Sequence, residues 1–545
     1  MNYLKNYFKT IYQRIKSMCL WEIAAMILFT VNLSSIFYFN LSDLRLSLDP
    51  DFATVVYHLR EIVNKGSLIL PNWVATTSME FDSTLIFAVP FFAITGNEFL
   101  SVGLSDLLIV FIYIYAIWNI LMALHVRIGV RFLTLAVIIT PYNYDWLDYF
   151  KMLFFAHANY SIKALVPIML VLCLIAFDDG EFGDCFSRRK RIFLLASYLS
   201  LLFVTCASTG IYTIVCGVAP IFFVSLFSLW KKRYLFKESV VPVWAMTGIF
   251  ATMGVFTYNL IYTGHSPNTE FVKVAEFWDN LKYVFVGVFQ AFGIMGAEAV
   301  PVFSKMGLFY LLKTLFVFII FIVTTLVIYK WMHGAANYNY YLPFFSVILF
   351  NMLILIVGDM RAGNDFIPYR YLFVGIPILL TGMGIMLNRY IATHRNKQIM
   401  PVMTIIMLAS AYMLVGNFKV TNDNLMDKDY IVDMTDYFDT LDVDTVFIAD
   451  DKDTALMCKA VDDSKKYACY NSESESITLE INYYRYEKNF NYYGDKNVIA
   501  IPNFNKLTDY VSEDIANEYE YVGETRWLAC YKSDTNYFKQ ENKNS

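Results

Sequence analysis

Apolar stretches of about 17 to 26 residues recur along the first three quarters of this chain, the length at which a helix crosses the hydrocarbon core of a bilayer. Of 545 residues, 57% are hydrophobic, 18% aromatic and only 17% charged. In lipid, every backbone polar group must find its partner within the segment, so runs of this kind are expected to be helices. The composition therefore points to a polytopic α-helical membrane protein and against a soluble enzyme. The first run, Trp21 to Phe39, follows Lys5, Lys9, Arg14 and Lys16 with no acid among them. That positive flank places the amino terminus in the cytoplasm. A long polar loop without a small-residue cleavage pattern comes next, so the run reads as a retained anchor and not a signal peptide.

Basic clusters fix the expected topology, because cytoplasmic turns collect Lys and Arg. They are Arg127/Arg131, Arg188-Arg189-Lys190-Arg191, Lys231-Lys232-Arg233, Lys330 and Arg389/Arg395/Lys397. Alternation between them gives eleven spans, near 20–40, 99–124, 132–142, 162–177, 192–209, 211–229, 240–262, 306–329, 341–358, 371–388 and 399–416. Thr84 to Thr95 is too short to span. Val284 to Val300 carries Gln290, Glu298 and three glycines, so both are expected as interfacial or re-entrant pieces. Lys313 is expected to snorkel outward from two turns inside its span.

Charge divides the chain again. Residues 1–417 hold 29 Lys+Arg against 22 Asp+Glu, and residues 418–545 hold 14 against 26. The expected organisation is a transmembrane domain, 1–417, whose first outer loop is 41–98, and an acidic extracytoplasmic α/β domain, 418–545. In the latter, helices are expected at 430–441, 453–461 and 507–517, and strands at 445–449, 466–470, 498–501 and 521–531. It has no nucleotide-binding glycine loop, and its charge disfavours direct contact with anionic polymer or nucleic acid. None of the eight cysteines makes a metal-ligand spacing, although a Cys458–Cys469 bridge is compatible with the sequence.

The first loop opens on Asp49-Pro50-Asp51. From Phe52 to Asn64, apolar residues at spacings of three and four describe an amphipathic helix fit to lie on the membrane surface, ended by Gly66. Leu70-Pro71-Asn72-Trp73 returns the chain to the interface, and Glu80 and Asp82 follow. This order of a first span, an acidic pair, a surface helix with Tyr57, a glycine, a Pro-x-Trp and a second acid resembles the first loop of the GT-C glycosyltransferases. That superfamily includes the protein O-mannosyltransferases and the aminoarabinose transferases of lipid A. Further on, Arg361 and Asp365 precede Pro368-Tyr369-Arg370-Tyr371-Leu372 and a span containing Pro377, similar to the Arg-Tyr entry to a late span in bacterial members. The resemblance covers residues 20–100 by motif and 101–417 by topology only. Where relatives carry Lys-Pro-Pro after the second acid, this chain reads Asp82-Ser83-Thr84. Either Glu80 or Asp82 is then the counterpart of that acid.

The resemblance implies transfer of a sugar from a polyprenyl-phosphate donor to an envelope polymer, glycolipid or surface protein. Such a donor brings its leaving group to the bilayer on its own tail. The protein must add a base for the acceptor hydroxyl and positive charge for the phosphate. Asp51 and Asp49 are the catalytic candidates, and Arg370 and Arg361 the candidate phosphate clamp. Glu80 and Asp82 are candidates to hold Mg²⁺ or Mn²⁺. Asp145 and Asp148 fall on the outer side, where they line an acceptor cleft or belong to an aromatic interface belt. Plainer roles stand beside these: Asp51 as the N-cap of the helix from Phe52, Arg370 as an interfacial anchor, and Arg361 as a partner of Asp359 and Asp365. His58, His157 and His265, without paired ligands, are read as structural.

Two other function classes compete. An envelope-lipid flippase or transporter would also need many spans, but there is no internal repeat and the acids gather in one outer loop. A non-catalytic scaffold for envelope assembly is kept in view by the missing Lys-Pro-Pro. Usage rich in Lys, Asn, Tyr and Ile, with no eukaryotic targeting signal, fits a bacterial plasma membrane.

Overall fold

The computed structural model describes residues 18–42, 44–70, 73, 75, 78–142, 148–179, 182–230, 238–262, 270–294, 300–334, 338, 340–359, 369–394, 396–426, 430–474, 476–478 and 494–540. Helices come first. They are α1 (Leu20–Leu41), α2 (Pro50–Lys65), α3 (Leu85–Thr95), α4 (Glu98–Ala123), α5 (Ile128–Ile138), α6 (Tyr149–Phe154), α7 (Ser161–Phe177), α8 (Arg188–Thr209), α9 (Ala219–Trp230), α10 (Val241–Ile261), α11 (Val274–Ala291), α12 (Lys305–Met332), α13 (Leu342–Val357), α14 (Ile376–Thr393) and α15 (Asn396–Met426). Seven of the described helices are long and apolar enough to cross a membrane, and α3, α5, α7, the stretch Ile214–Ser228 and α13 are shorter apolar helices. Each expected span has a helix at its place. α15 continues without a break through Asn417, where the sequence changes character.

Close helix contacts rest on small residues. A Cβ at Gly103 of α4 would lie 2.0 Å from the Asn40 carbonyl oxygen of α1, so only glycine permits that approach. Lys313 does not snorkel as expected. It is buried, donates to the Gly293 carbonyl at 3.0 Å and lies 4.5 Å from the Phe309 ring centroid. The neighbouring carbonyl and aromatic face supply the polar contact that the membrane surface would otherwise give.

The helix after the first span departs from expectation in two ways. Asp49, not Asp51, is its N-cap: its Oδ1 accepts the Phe52 N–H at 2.8 Å, with Pro50 at the first helical position. Proline has no N–H to satisfy and its φ suits the first turn, which moves the start ahead of Asp51 and leaves the Asp51 side chain off cap duty. Gly66 ends the helix at φ +63°. α2 also does not lie free on a membrane surface, because every residue from Phe52 to Arg60 is buried. Its outward face is covered by the C-terminal unit.

That unit contains α16 (Tyr430–Thr440), α17 (Lys452–Val461) and α18 (Glu513–Ala516) with a six-stranded sheet. The strands are β3 (Thr445–Ala449), β4 (Lys466–Asn471), β5 (Ser476–Thr478), β6 (Asn497–Pro502), β7 (Glu520–Glu524) and β8 (Leu528–Ser533), in the order β5-β4-β3-β6-β8-β7, while β1 (Glu270–Phe271) and β2 (Gly358–Asp359) form a separate ladder. β3 is parallel to β4 and β6, and the outer strands are antiparallel. The single strand expected at 521–531 is a hairpin, turned at 525–527, and the helix expected at 507–517 is broken into a 3₁₀ turn, Leu507–Asp509, and α18. Cys458 and Cys469 are both buried and are not joined in a disulfide. α17 packs on α2. There the buried Arg60 donates from Nη1 to the Lys459 carbonyl at 3.2 Å, from Nη2 to the Ala460 carbonyl at 3.0 Å and from Nε to Glu98 at 2.7 Å. The last carbonyls of a helix lack intrahelical partners, so a guanidinium at that end satisfies them.

Candidate functional site

Asp49 and Asp51 sit at the start of α2, where the first loop meets the turn between α6 and α7. Lys151, on α6, forms an ion pair with Asp49 and donates to the Ser47 carbonyl at 2.8 Å. Burial alone would raise the Asp49 carboxyl, but Lys151, His157 and the Phe52 N–H together bring it down to about 2. Asp51 goes the other way. Burial, and the charges of Asp49 and Glu80, raise it to about 6, against the pull of Arg370 and Lys151. Two carboxylates so close, Asp49 buried and Asp51 half-buried, divide the labour: one is a fixed anion, the other can take up a proton near neutral pH.

Arg370 lies in the 3₁₀ turn Tyr369–Val374 that leads into α14. Burial would lower its pKa, but Tyr160, Tyr371 and Asp51 raise it, so the guanidinium is charged. It sits 5.7 Å from the Tyr371 ring centroid, and its Nε is buried without a hydrogen-bond partner among the described residues. Tyr160, Tyr212 and Tyr371 surround this position, their rings 6.1 to 6.5 Å apart. A buried N–H with nothing to bond is costly, and an anion placed there would satisfy it.

Glu80 and Asp82 lie behind the pair. Glu80 adopts φ +61°, rare for a residue with a Cβ, and its carboxyl meets His58 Nδ1 at 3.2 Å. Burial and the nearby Asp82 raise Glu80 to about 8, and burial lowers His58 to about 3. The contact is therefore a hydrogen bond between neutral groups and not an ion pair. His58 in turn stacks on Trp73, ring centroids 3.9 Å apart, which gives the tryptophan of the Pro-x-Trp its place. Asp82 is paired with Lys163 at 2.8 Å and accepts the Ser208 hydroxyl at 2.7 Å. Asp82 is thus engaged by a lysine and a hydroxyl, and Glu80 by a histidine. Among the described residues no three His, Cys, Asp or Glu side chains gather as metal ligands.

Asp148 is buried at the N-cap of α6, its Oδ1 accepting the Lys151 N–H at 2.7 Å. Arg361, Asp365, Asp145, His265 and Glu298 lie outside the described residues. Two residues that the sequence did not single out, Lys151 and Lys163, and one that it read as structural, His157, lie among these side chains. Lys151 and Lys163 carry the positive charges opposite Asp49 and Asp82. His157 is fully buried between Ala156 at φ +59° and Ala158 at φ +41°, and burial lowers its imidazole to about 4 while Asp49 opposes this. The available signal was cost: Lys151 before the apolar Met152–Ala156, and Lys163 in the first turn of the apolar α7, must pair or reach water.

A scan against protein-family models and a search of curated proteins find no match. Among solved structures, the crystal structure of ArnT from Cupriavidus metallidurans in the apo state matches over 93% of this chain and 97% of that chain, with a TM-score of 0.54 and 11% sequence identity. The chain has a GT-C-like fold. A crystal structure of the same ArnT bound to undecaprenyl phosphate covers 94% of this chain and 98% of that chain, at a TM-score of 0.47 and 11% identity. Likeness at this identity speaks for the architecture alone. Within the GT-C-like fold, the residues gathered here by Asp49 and Asp51 come from the first loop, the α6–α7 turn and the entry to α14.

Proposed function

We propose that this chain is a membrane glycosyltransferase that moves a sugar from a polyprenyl-phosphate donor to an extracytoplasmic envelope acceptor. The observation that carries the reading is the juxtaposition of Asp51, a half-buried carboxyl raised to about 6, with Arg370, a half-buried guanidinium whose Nε has no hydrogen-bond partner among the described residues. Asp51 accepts the proton of the acceptor hydroxyl as that oxygen bonds to the anomeric carbon. The bond from that carbon to the phosphate oxygen breaks, and Arg370 takes the charge that the phosphate gains. Attack opposite the leaving group inverts the anomeric centre. Asp49, locked by Lys151, orients the start of α2, and no step is routed through a cation. An apolar cavity of about 630 Å³ lined by α9, α12 and α13, with Phe223, Phe227, Trp331 and Phe350 on its walls, has the character required by a prenyl chain.

Binding of undecaprenyl phosphate to purified protein in nanodiscs tests the phosphate half of this reading. Arg370→Gln should weaken it at least tenfold with an unchanged melting temperature. Equal binding by the variant would remove Arg370 from the donor site.

A further inference from the structure

The C-terminal sheet reverses direction at β3. The chain passes from β3 through α17 to β4 on one side, and β6 later pairs with β3 on the other. In open α/β sheets the carboxyl ends of the strands at such a reversal form a crevice in which ligands bind. Here those ends lead into Asp450 after β3 and into Asn503 and Phe504 after β6. The β7–β8 turn lies at the same edge, because Pro502 pairs with Leu528 and the Asn503 N–H bonds to the Trp527 carbonyl at 3.1 Å.

This edge is turned toward the first loop. Tyr430, at the start of α16, stands edge-on to Trp527 with ring centroids 6.4 Å apart. α16 packs on the 3₁₀ turn Leu44–Ser47 that leads into Asp49. The Tyr430 phenol also lies within electrostatic reach of both Asp451 and Asp49. Tyr430 thus stands between the first loop and Trp527, and Asn503 and Phe504 lie on the turn that adjoins Trp527.

The chemistry along the path is specific. Phe504 is 99% exposed and Trp527 50% exposed, on adjoining turns where neither ring is needed to fill the core. Arg526 lies 5.1 Å from the Trp527 ring centroid. Asp450, at φ +54°, has its carboxylate engaged by the Ser472 N–H and hydroxyl, whereas the Asn503 Oδ1 is buried without a hydrogen-bond partner among the described residues. Exposed aromatic faces match the C–H faces of pyranose rings, and carboxylate and amide oxygens accept from sugar hydroxyls. An excess of 26 acidic over 14 basic residues in 418–545 disfavours a polyanion.

We propose that the carboxyl edge of the C-terminal sheet, at Tyr430, Asn503, Phe504 and Trp527, is a cleft for the glycan part of a neutral acceptor, holding it beside Asp51. The delivery step rests on the transferase reading; the binding step does not. The test uses the full chain in nanodiscs. Neutral tetrasaccharides of glucose, mannose, galactose and N-acetylglucosamine are titrated by calorimetry, beside a Ser/Thr-rich peptide and poly(glycerol phosphate). At least one tetrasaccharide is expected to bind saturably, and Phe504→Ala and Trp527→Ala to weaken it at least tenfold, with undecaprenyl phosphate binding unchanged. Phe504 is so exposed that its truncation leaves folding intact, so this variant decides the matter even if Trp527→Ala is unstable. Binding of no tetrasaccharide, binding of the peptide or the polyanion alone, or tetrasaccharide binding unchanged in Phe504→Ala would overturn the proposal. A chain that binds a tetrasaccharide through Phe504 yet transfers no sugar would keep the cleft and lose the transferase.

Discussion

Two carboxylates separated by one proline cannot both ionise freely in a buried site, and the side chains around them decide which one does. Lys151 and the helix N-terminus take Asp49, which leaves Asp51 as the proposed proton acceptor. Lys151→Met should destabilise the protein by about 3–5 kcal/mol, because it leaves a buried charge unpaired. Adding Asp49→Asn should recover most of that loss, as read by thermal melting in detergent; equal melting of the single and double variants would show that the pair does not exist. The acids themselves were legible in the sequence, since an Asp-Pro-Asp at the end of a span has a recognisable place and order. Lys151, His157 and Lys163 were not. A lysine beside an apolar run looks the same whether it snorkels to headgroups or pairs with an aspartate from another loop, and only the fold brings Asp49 and Asp82 to them.

At the scale of the element, α2 shows what periodicity reads and what it misses. The apolar spacing and Gly66 gave the helix and its end, but the helix was read as lying on the membrane surface, and the side that carries Tyr57 and Arg60 is buried. In the structure α17 covers that face: Lys459 Nζ lies 4.3 Å from the Tyr57 ring centroid, and Arg60 closes the carbonyl end of α17. No local pattern announces a partner that arrives from the far end of the chain. Arg60→Ala should therefore loosen both helices together. Hydrogen exchange is expected to speed up in 50–65 and 452–461 and to stay unchanged in β3 and β6, with Arg60→Lys intermediate because a lysine cannot reach both carbonyls and Glu98 at once. Exchange confined to 452–461 would mean that the C-terminal unit does not hold α2.

For the whole molecule, contact between Arg60 and 459–463 requires an even number of membrane crossings between the first loop and the C-terminal unit. The count of spans from basic clusters has that parity, which is why so coarse a rule placed both segments on one side. Among described residues the exposed cysteines are Cys19 and Cys185, both on the opposite side in that topology. In intact cells a membrane-impermeant maleimide should label a Phe504→Cys variant and leave the parent chain unlabelled; labelling of the parent would invert the topology or break the count.

The central claim is that Asp51 is the base in sugar transfer, and it is tested most directly by single-turnover transfer from polyprenyl-phosphate sugars by purified wild type and Asp51→Asn between pH 5 and 8. A base must be ionised to accept a proton, and the Asp51 carboxyl is raised to about 6. The wild-type rate should thus be level above that value and fall about tenfold per pH unit below it, and Asp51→Asn should be slower by about 10²–10⁴-fold while still folded and binding donor. Transfer by Asp51→Asn at the wild-type rate, with the same pH profile, would contradict the account.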